Sequence, residues 1–437
     1  MSPVDSTVVA YGVPLALSLG GYLAWGRLRE RRALAAMRAA EAAGLTEPAS
    51  LHPVIDPSFC IGCGSCVNAC PEGRILGLVG GKARLVSPSS CIGHGACARS
   101  CPMQAITLVF GTATRGVDIP HVGEDFQTNV PGIYIAGELG GMGLIRNAIE
   151  QGRQAMQSII DERRPTGAGV LDVVVVGAGP AGISASLAAK QAGLNFVTLE
   201  QDSLGGTVAH FPRGKLVMTA PAELPIYGRV HFRETSKEAL LEFWQGVVRE
   251  TGLDITYGER VDGIERDADT GLFRVKTQAG THEAGAVLLC IGRRGTPRKL
   301  GVPGEEATKV VYRLSDPEQY AGRAVLVVGG GDSALEAALS VAEVADTDVT
   351  LSYRGDAFSR AKPKNRDKVE AAARQGRLRV LLGSNVTQIA QDTVSIDQNG
   401  SLHKLDNDAV IVCAGGILPT GFLKAAGVEV ETKYGTA

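Results

Sequence analysis

Aromatic residues make up only 5% of the 437 positions, and 44 lysines and arginines stand against 46 aspartates and glutamates. A nucleic-acid groove needs a basic face or stacking platforms, so nucleic acid is excluded as a partner. Linkers rich in serine and glycine are missing, as are acidic or basic tails. With 44% hydrophobic and 21% charged residues the chain is not disordered, and its length gives room for two or three domains with cores of their own. Cysteine is scarce over most of the sequence: seven of the nine lie between Cys60 and Cys101, while Cys290 and Cys413 stand alone in apolar runs. A secreted disulfide framework would scatter its cysteines, whereas a tight cluster points to metal ligation in a reducing compartment. Glycine is what abounds, 56 residues against a usual ~7%. Tight turns and phosphate-hugging loops are the places to look for it.

Near the N-terminus, Val8 to Trp25 is an uncharged run of 18 residues, preceded by a single charge, Asp5, and followed by Arg27, Arg29, Arg31 and Arg32. At about 1.5 Å per residue it just crosses a hydrocarbon core of about 30 Å. A cleaved signal peptide has the opposite charge order. The expectation is a single-pass helix in the cell inner membrane, N-terminus outside, with the catalytic part cytoplasmic. The competing reading is a buried core helix, because Gly12, Pro14, Gly20 and Gly21 weaken the span. Arg27 to Ala43 should continue as a polar helical spacer, with Gly44 as C-cap and Pro48 as stop.

The cysteine-rich segment reads Cys60-x2-Cys63-x2-Cys66-x3-Cys70-Pro71, then Cys91-x2-His94-x2-Cys97-x3-Cys101-Pro102. Three thiolates at this spacing wrap three corners of an iron–sulfur cubane, and the fourth points to a second cluster. A structural zinc site competes, but zinc wants two ligand pairs, which a doubled run ending in Cys-Pro fits poorly. The segment resembles a bacterial two-cluster ferredoxin domain. That resemblance implies crossed ligation: Cys60, Cys63, Cys66 and Cys101 for one [4Fe–4S] cluster, Cys91, Cys97 and Cys70 for the other. His94 occupies the remaining ligand slot. Either its imidazole ligates the fourth iron, or that corner is empty and the site holds [3Fe–4S].

Two strand–loop–helix patterns follow. Leu171–Val176 leads into Gly177-Ala-Gly179-Pro180-Ala181-Gly182, and the next apolar strand ends at Glu200. This is the dinucleotide fingerprint: glycines admit a pyrophosphate to a helix N-terminus and the acid binds a ribose. The second copy is Ala324–Val328 with Gly329-Gly-Gly331-Asp332-Ser333-Ala334. Counting 23 positions from the first glycine gives Glu200 in one copy and Ser352 in the other. Arg354, Arg360, Lys362 and Lys364 follow instead of an acid, which suits a ribose 2′-phosphate and so NADPH rather than NADH. One loop with an acid and one with arginines suggest FAD plus NADPH.

Residues from about 166 to 430 resemble the thioredoxin-reductase-like pyridine-nucleotide flavoproteins. The matching pieces are Gly177–Gly182, Leu204-Gly205-Gly206-Thr207, Cys290–Pro297, Leu300–Glu305 and Gly329–Glu336, with Tyr353-Arg354 and Arg360 matching the family's 2′-phosphate site. The resemblance implies a homodimer and places Gly205, Gly206 and Thr207 at the flavin. Two departures stand out. Thioredoxin reductases carry a redox-active C-x-x-C just before the second loop, whereas Val310–Asp316 holds no cysteine, which excludes disulfide reduction by that route. The family also ends its chain on a Pro-Gly-x-Tyr-x-x-Gly-Asp segment that cradles the flavin. Here the corresponding Pro131–Glu138 precedes the first loop, with Gly137 followed by Glu138 in place of the family's Asp. We read a circular permutation, in which 111–165 supply the last strand and helix of the flavin domain.

The expected fold is α/β, two Rossmann-like domains for FAD and NAD(P)H preceded by a small α+β ferredoxin domain and a transmembrane helix. Expected domains are 1–50 (anchor and spacer), 51–110 (iron–sulfur), 111–304 with 411–437 (FAD) and 305–410 (NADPH). The expected activity is that of an FAD-dependent oxidoreductase passing electrons from NADPH along the clusters to an acceptor, or the reverse. A quinone, cytochrome or ferredoxin would serve as that partner, and no catalytic acid or base is required. The alternatives are a non-catalytic electron-transfer subunit of a membrane complex and a disulfide reductase using a partner's thiols.

Overall fold

In the computed structural model the described residues are all but 1–2, 44, 49–50, 92, 94, 114–115, 141–143, 163–166, 168, 212, 214–215, 219–220, 232–233, 294 and 436–437. His94 and the Gly44 cap therefore lie outside the described residues. Two compact units emerge: Met1–Gly116 with Ala357–Arg366 and Tyr434–Ala437, and Val117–Asp356 with Asp367–Lys433.

The first unit opens with a 40-residue helix, α1 (Pro3–Ala42). The expected membrane anchor is not upheld: among the described residues no helix is long and apolar enough to cross a membrane. Gly12, Pro14, Ser18, Gly20 and Gly21 dilute the apolar run, and the helix continues unbroken through Arg27–Arg32. With the anchor go the single-pass inner-membrane placement, the membrane as partner and the role of Arg27–Ala43 as a spacer. That stretch instead packs on the ferredoxin segment. Ala33 and Ala40 are buried, the Gly80 N–H donates to Glu30 Oε1 (2.7 Å), and Arg29 reaches Asn68 Oδ1 (3.4 Å).

The rest of this unit is a pair of short antiparallel ladders with a one-turn helix beside each cysteine run. Strand β1 (His52–Ile55) pairs with β4 (Ile106–Val109), β2 (Leu76–Val79) with β3 (Lys82–Leu85), and α2 (Ser65–Ala69) and α3 (Ala96–Arg99) follow the cysteine loops. Its core is small: Cys66, Leu76, Ala83, Cys97 and Ile106. Segment Ala357–Arg366 packs here as well, with Arg366 Nη1 donating to Ser89 Oγ (3.3 Å).

In the second unit β5 (Val117–Pro120) pairs with the C-terminal strand Val430–Lys433. Next come β6 (Ile133–Ile135), α4 (Ile145–Asp161), β7 (Leu171–Val176), α5 (Pro180–Gln191) and β8 (Phe196–Glu200). The valine run of β7 is buried on both faces, as a central parallel strand must be. It lies between β8 and Thr281–Leu289 in a seven-stranded sheet. β6 pairs in parallel with Val287–Leu289 of that last strand. A segment preceding the first glycine loop thus forms a strand of the sheet that follows it. The alanines of α5 leave almost no side-chain bulk, so α4 lies directly against it through Ala155 and Met156, both fully buried.

The second Rossmann sheet is parallel throughout, in the order Val310–Val311, Ala409–Val412, Ala324–Val328, Asp348–Tyr353, Arg379–Leu382. A three-stranded meander spanning Ser384–Asp406 packs beside it.

Candidate redox site

Four thiols of the first unit, Cys60, Cys63, Cys66 and Cys101, line one cavity together with Ile55, Ala83 and Ile106. Gly62 (φ +71°) allows this close wrapping, since a Cβ there would collide with the Gly81 carbonyl oxygen. Burial pushes the Cys66 thiol up to about 11, and the charges of Cys60, Cys63 and Cys101 push it the same way. Cys63 is shifted downward, first by its hydrogen bond with the Ser65 hydroxyl 3.4 Å away. Backbone N–H groups of Ala83 and Ala105 point at the Cys60 and Cys101 sulfurs (3.5 and 3.3 Å). Such bonds favour electron-rich sulfur and tune a cluster's potential.

A second group forms from Cys70, Cys91 and Cys97. Burial raises all three thiols, and the Cys70 charge adds to the rise at both Cys91 and Cys97. Among the described residues no three His, Cys, Asp or Glu side chains meet at single-ion distance. The four thiols that ring this cavity could hold an iron–sulfur cluster.

In the second unit the nucleotide loops sit at the carboxyl ends of parallel strands, where α/β sheets bind ligands. Gly177 begins the turn after β7, and Gly179 caps α5 with no side-chain bond; Pro180 has no N–H, so Ala181 and Gly182 supply the donors of the first turn. A Cβ on Gly182 would collide with the Gly177 carbonyl, whereas one on Gly179 meets no heavy atom nearer than 3.9 Å. Gly182 is needed for packing; Gly179 borders open space that a pyrophosphate would fill.

Glu200 is buried at the end of β8. Its carboxylate accepts from the N–H groups of Ala178 (2.7 Å) and Asp202 (2.9 Å), so it braces the glycine turn it faces. Gly205 donates to the Ala178 carbonyl (3.0 Å), bringing Gly206 and Thr207 onto the same loop. From the permuted side, the Ala136 N–H bonds Leu289 O (3.1 Å), and the Gly137 N–H bonds Gln151 Oε1 (2.9 Å). Glu138 then starts a short 3-10 turn.

Sequence reasoning missed Arg293. Its Nη2 donates to the Asp118 carbonyl (2.9 Å), and burial lowers its pKa against the opposing charges of Glu138 and Asp118. It lies within the Cys290–Pro297 string, but only the fold turns it toward Glu138.

Behind Glu200, the Glu259 N–H bonds the Glu200 carbonyl (3.0 Å). The Glu259 carboxylate accepts from Thr277 Oγ1 (2.7 Å) and pairs with His282 Nε2 (2.8 Å). The His282 bond first, then that of Thr277, holds Glu259 below its ordinary value. A depressed acid contributes stability above its unfolded pKa and loses it as pH falls through the folded value. Glu259→Gln should therefore flatten the fall in melting temperature below about pH 4.5, as measured by calorimetry of both proteins from pH 6 to pH 3; equal slopes would refute the linkage.

In the second Rossmann sheet Gly329 begins the turn after Ala324–Val328, and Gly331 caps the helix Asp332–Ala342, which holds Ser333 and Ala334 in its first turn. Ser352, at the acid's position, is fully buried and bonds Ser384 Oγ (2.8 Å). Arg354 is exposed just after that strand. Arg360, Lys362 and Lys364 belong to the segment that packs with the first unit, whereas Arg354 belongs to the second. Where a thioredoxin reductase has its thiols, Arg313 pairs with His210 and with Asp202 (3.7 Å), and Asp316 pairs with Arg213 (3.7 Å).

The sequence pattern of the pyridine nucleotide-disulphide oxidoreductases matches residues 174–436, and that of the 4Fe-4S dicluster domain matches 52–102. The chain belongs to the pyridine nucleotide-disulphide oxidoreductase family. It is an FAD-dependent enzyme of that family with an appended 4Fe-4S domain. It is 32% identical over 271 residues to the ferredoxin–NADP reductase of Thermus thermophilus, covering 60% of this chain and 77% of that one. To bacilliredoxin reductase Bdr of Bacillus subtilis it is 27% identical over 269 residues, covering 60% and 82%. Among solved structures, the bacillithiol disulfide reductase Bdr from Bacillus cereus superposes with a TM-score of 0.53 at 26% identity, over 59% of this chain and 82% of that one.

Proposed function

We propose that the protein oxidises NADPH and delivers the electrons singly, through two iron–sulfur clusters, to a one-electron acceptor. The observation that carries this reading is that one chain holds both a cavity ringed by four thiols and two glycine turns that open helices at the ends of parallel strands. When bound, FAD would accept a hydride from NADPH and release electrons one at a time. The chain's part is positioning. The first turn of α5 holds the pyrophosphate, Glu200 a ribose, Leu204–Thr207 and Gly137–Glu138 the flavin end, and Gly329–Ala334 with Arg354 the NADPH. Cys60, Cys63, Cys66 and Cys101 would hold one cluster. Cys70, Cys91 and Cys97 would hold the other, with His94 or an open corner completing it.

Relatives named for disulfide substrates make thiol reduction the second reading. The ion pairs of Arg313 and Asp316, in a segment without cysteine, favour the electron-transfer reading.

Anaerobic titration of the cluster-loaded protein with NADPH, followed by EPR, tests the proposal. Cluster signals within the flavin's turnover time are expected, and their form separates [3Fe–4S] from [4Fe–4S] at the His94 site. A flavin that bleaches while dithionite-reducible clusters stay oxidised would sink it. For the nucleotide, Arg354→Ala should raise the KM for NADPH about tenfold to a hundredfold, the value of one lost charge-assisted bond, and leave that for NADH within about twofold. Equal effects on both cofactors in steady-state assays would remove the 2′-phosphate assignment.

A further inference from the structure

Around the first thiol set lies an apolar rim that the chemistry above does not use. Of all the cysteines only Cys63 is exposed; Cys66 is buried behind it, and Cys91 and Cys97 of the other set are buried as well. At the cavity mouth Ile61 is 63% and Met103 43% exposed, and Phe59, next to Cys60, is 60% exposed. Charge is scarce there. Between residues 53 and 68 the only acidic or basic residue is Asp56, and between 100 and 110 there is none. Lys82 is turned inward, its ammonium on the Cys60 carbonyl (2.6 Å), and Glu30 and Arg29 reach the same segment at Gly80 and Asn68, so the charges about the rim, Asp56 and Glu30 against Lys82 and Arg29, balance.

Large apolar side chains held in water, an aromatic and a methionine among them, with charges that balance, have the composition of an interface core. Electrostatic complementarity selects the occupant: a face without net charge neither steers nor holds a strongly acidic or basic partner. We propose that this face docks a one-electron redox protein whose cofactor edge is itself framed by uncharged, apolar residues, and that electrons leave at the Cys63 corner. The proposal rests on the reading that the first thiol set carries a cluster fed from NADPH. Per turnover, one NADPH gives up a hydride, two acceptor molecules take one electron each, and NADP+ and one proton are released. A small, fast-exchanging interface below about 1,200 Å² suits such a partner.

Azurin, a blue-copper protein with an apolar patch at its copper edge, is the probe, and ferricyanide, which needs no docking surface, is the control. Phe59→Glu and Phe59→Lys should each slow azurin reduction by NADPH at least about tenfold, the loss of one interface anchor. Phe59→Leu should stay near wild type, and all three should reduce ferricyanide at the wild-type rate. The azurin rate should change less than about twofold when salt collapses the Debye length from about 30 Å to 3 Å. Hydrogen exchange with azurin present should show protection at 57–63 and 101–104. An azurin rate insensitive to both charged variants, a steep salt dependence, or protection elsewhere on the chain overturns the proposal. So does protection of this face by phosphatidylcholine vesicles and not by azurin, which would make it a lipid surface. Absence of cluster EPR signals with NADPH in the wild type would instead condemn the wiring, and dithionite-reduced protein mixed with azurin then tests the face on its own.

Discussion

Gly179→Val will yield a folded, flavin-free protein that no longer oxidises NADPH. The backbone at Gly179 is ordinary extended chain (φ −77°, ψ −177°), so valine is tolerated by the fold. A Cβ there meets no heavy atom nearer than 3.9 Å, so the added methyl groups project into the space at the start of α5 where a pyrophosphate would lie. The free N–H groups of the first turn are then screened from the phosphates. Flavin affinity should fall by at least about a hundredfold, roughly 2.7 kcal/mol. Flavin content after purification and FAD titration measure this, with circular dichroism melting as the control. The melting temperature of the flavin-free protein should stay within a few degrees of flavin-stripped wild type. Dithionite should still reduce the iron–sulfur part, while NADPH should not. A variant that retains FAD would show that the pyrophosphate does not use this turn. Gly182→Val is the instructive contrast: its Cβ would strike the Gly177 carbonyl, so loss of flavin there would come with loss of the fold.

Cys66→Ala should separate the two halves of the reaction. Cys66 is the buried thiol at the back of the first cavity, and its pKa is raised by burial and by its three sulfur neighbours. Without that ligand the site cannot hold a full cubane, and iron content should drop by about half if both groups are loaded in the wild type. NADPH should still bleach the flavin at the wild-type rate, because the nucleotide loops are untouched. Reduction of a one-electron protein acceptor should fall by more than the roughly 10–100-fold that losing an outer-shell partner of a metal site costs. Stopped-flow absorbance at the flavin band, run beside an azurin assay, reads both quantities. If acceptor reduction survives, electrons leave the flavin directly and the clusters serve another purpose.

The features legible in the sequence are those whose meaning is local. The cysteine spacing, the two strand–loop–helix glycine turns and the missing acid at Ser352 depend on residues a few positions apart, where covalent geometry limits the outcomes. The membrane helix failed for a related reason. Length and flanking arginines are local signals, but glycines and a proline lower the apolarity of the span, and the packing of Ala33 and Ala40 is a tertiary fact. The roles of Arg293, Gln151 and the Arg313–His210 pair are not legible there, because their partners lie 175, 14 and 103 residues away.

By itself, then, the sequence determined the chemistry of the parts: thiols for iron, a glycine turn with an acid for one dinucleotide, a glycine turn without one for another. Folding alone decided how those parts are joined. Pairing of β6 with Val287–Leu289 makes the segment after the ferredoxin a strand of the flavin sheet, and pairing of β5 with Val430–Lys433 ties that same segment to the far end of the chain. Such pairings join residues far apart in the chain. Their free energy comes from burying surfaces that no local periodicity encodes, so they become visible only once the chain has closed on itself.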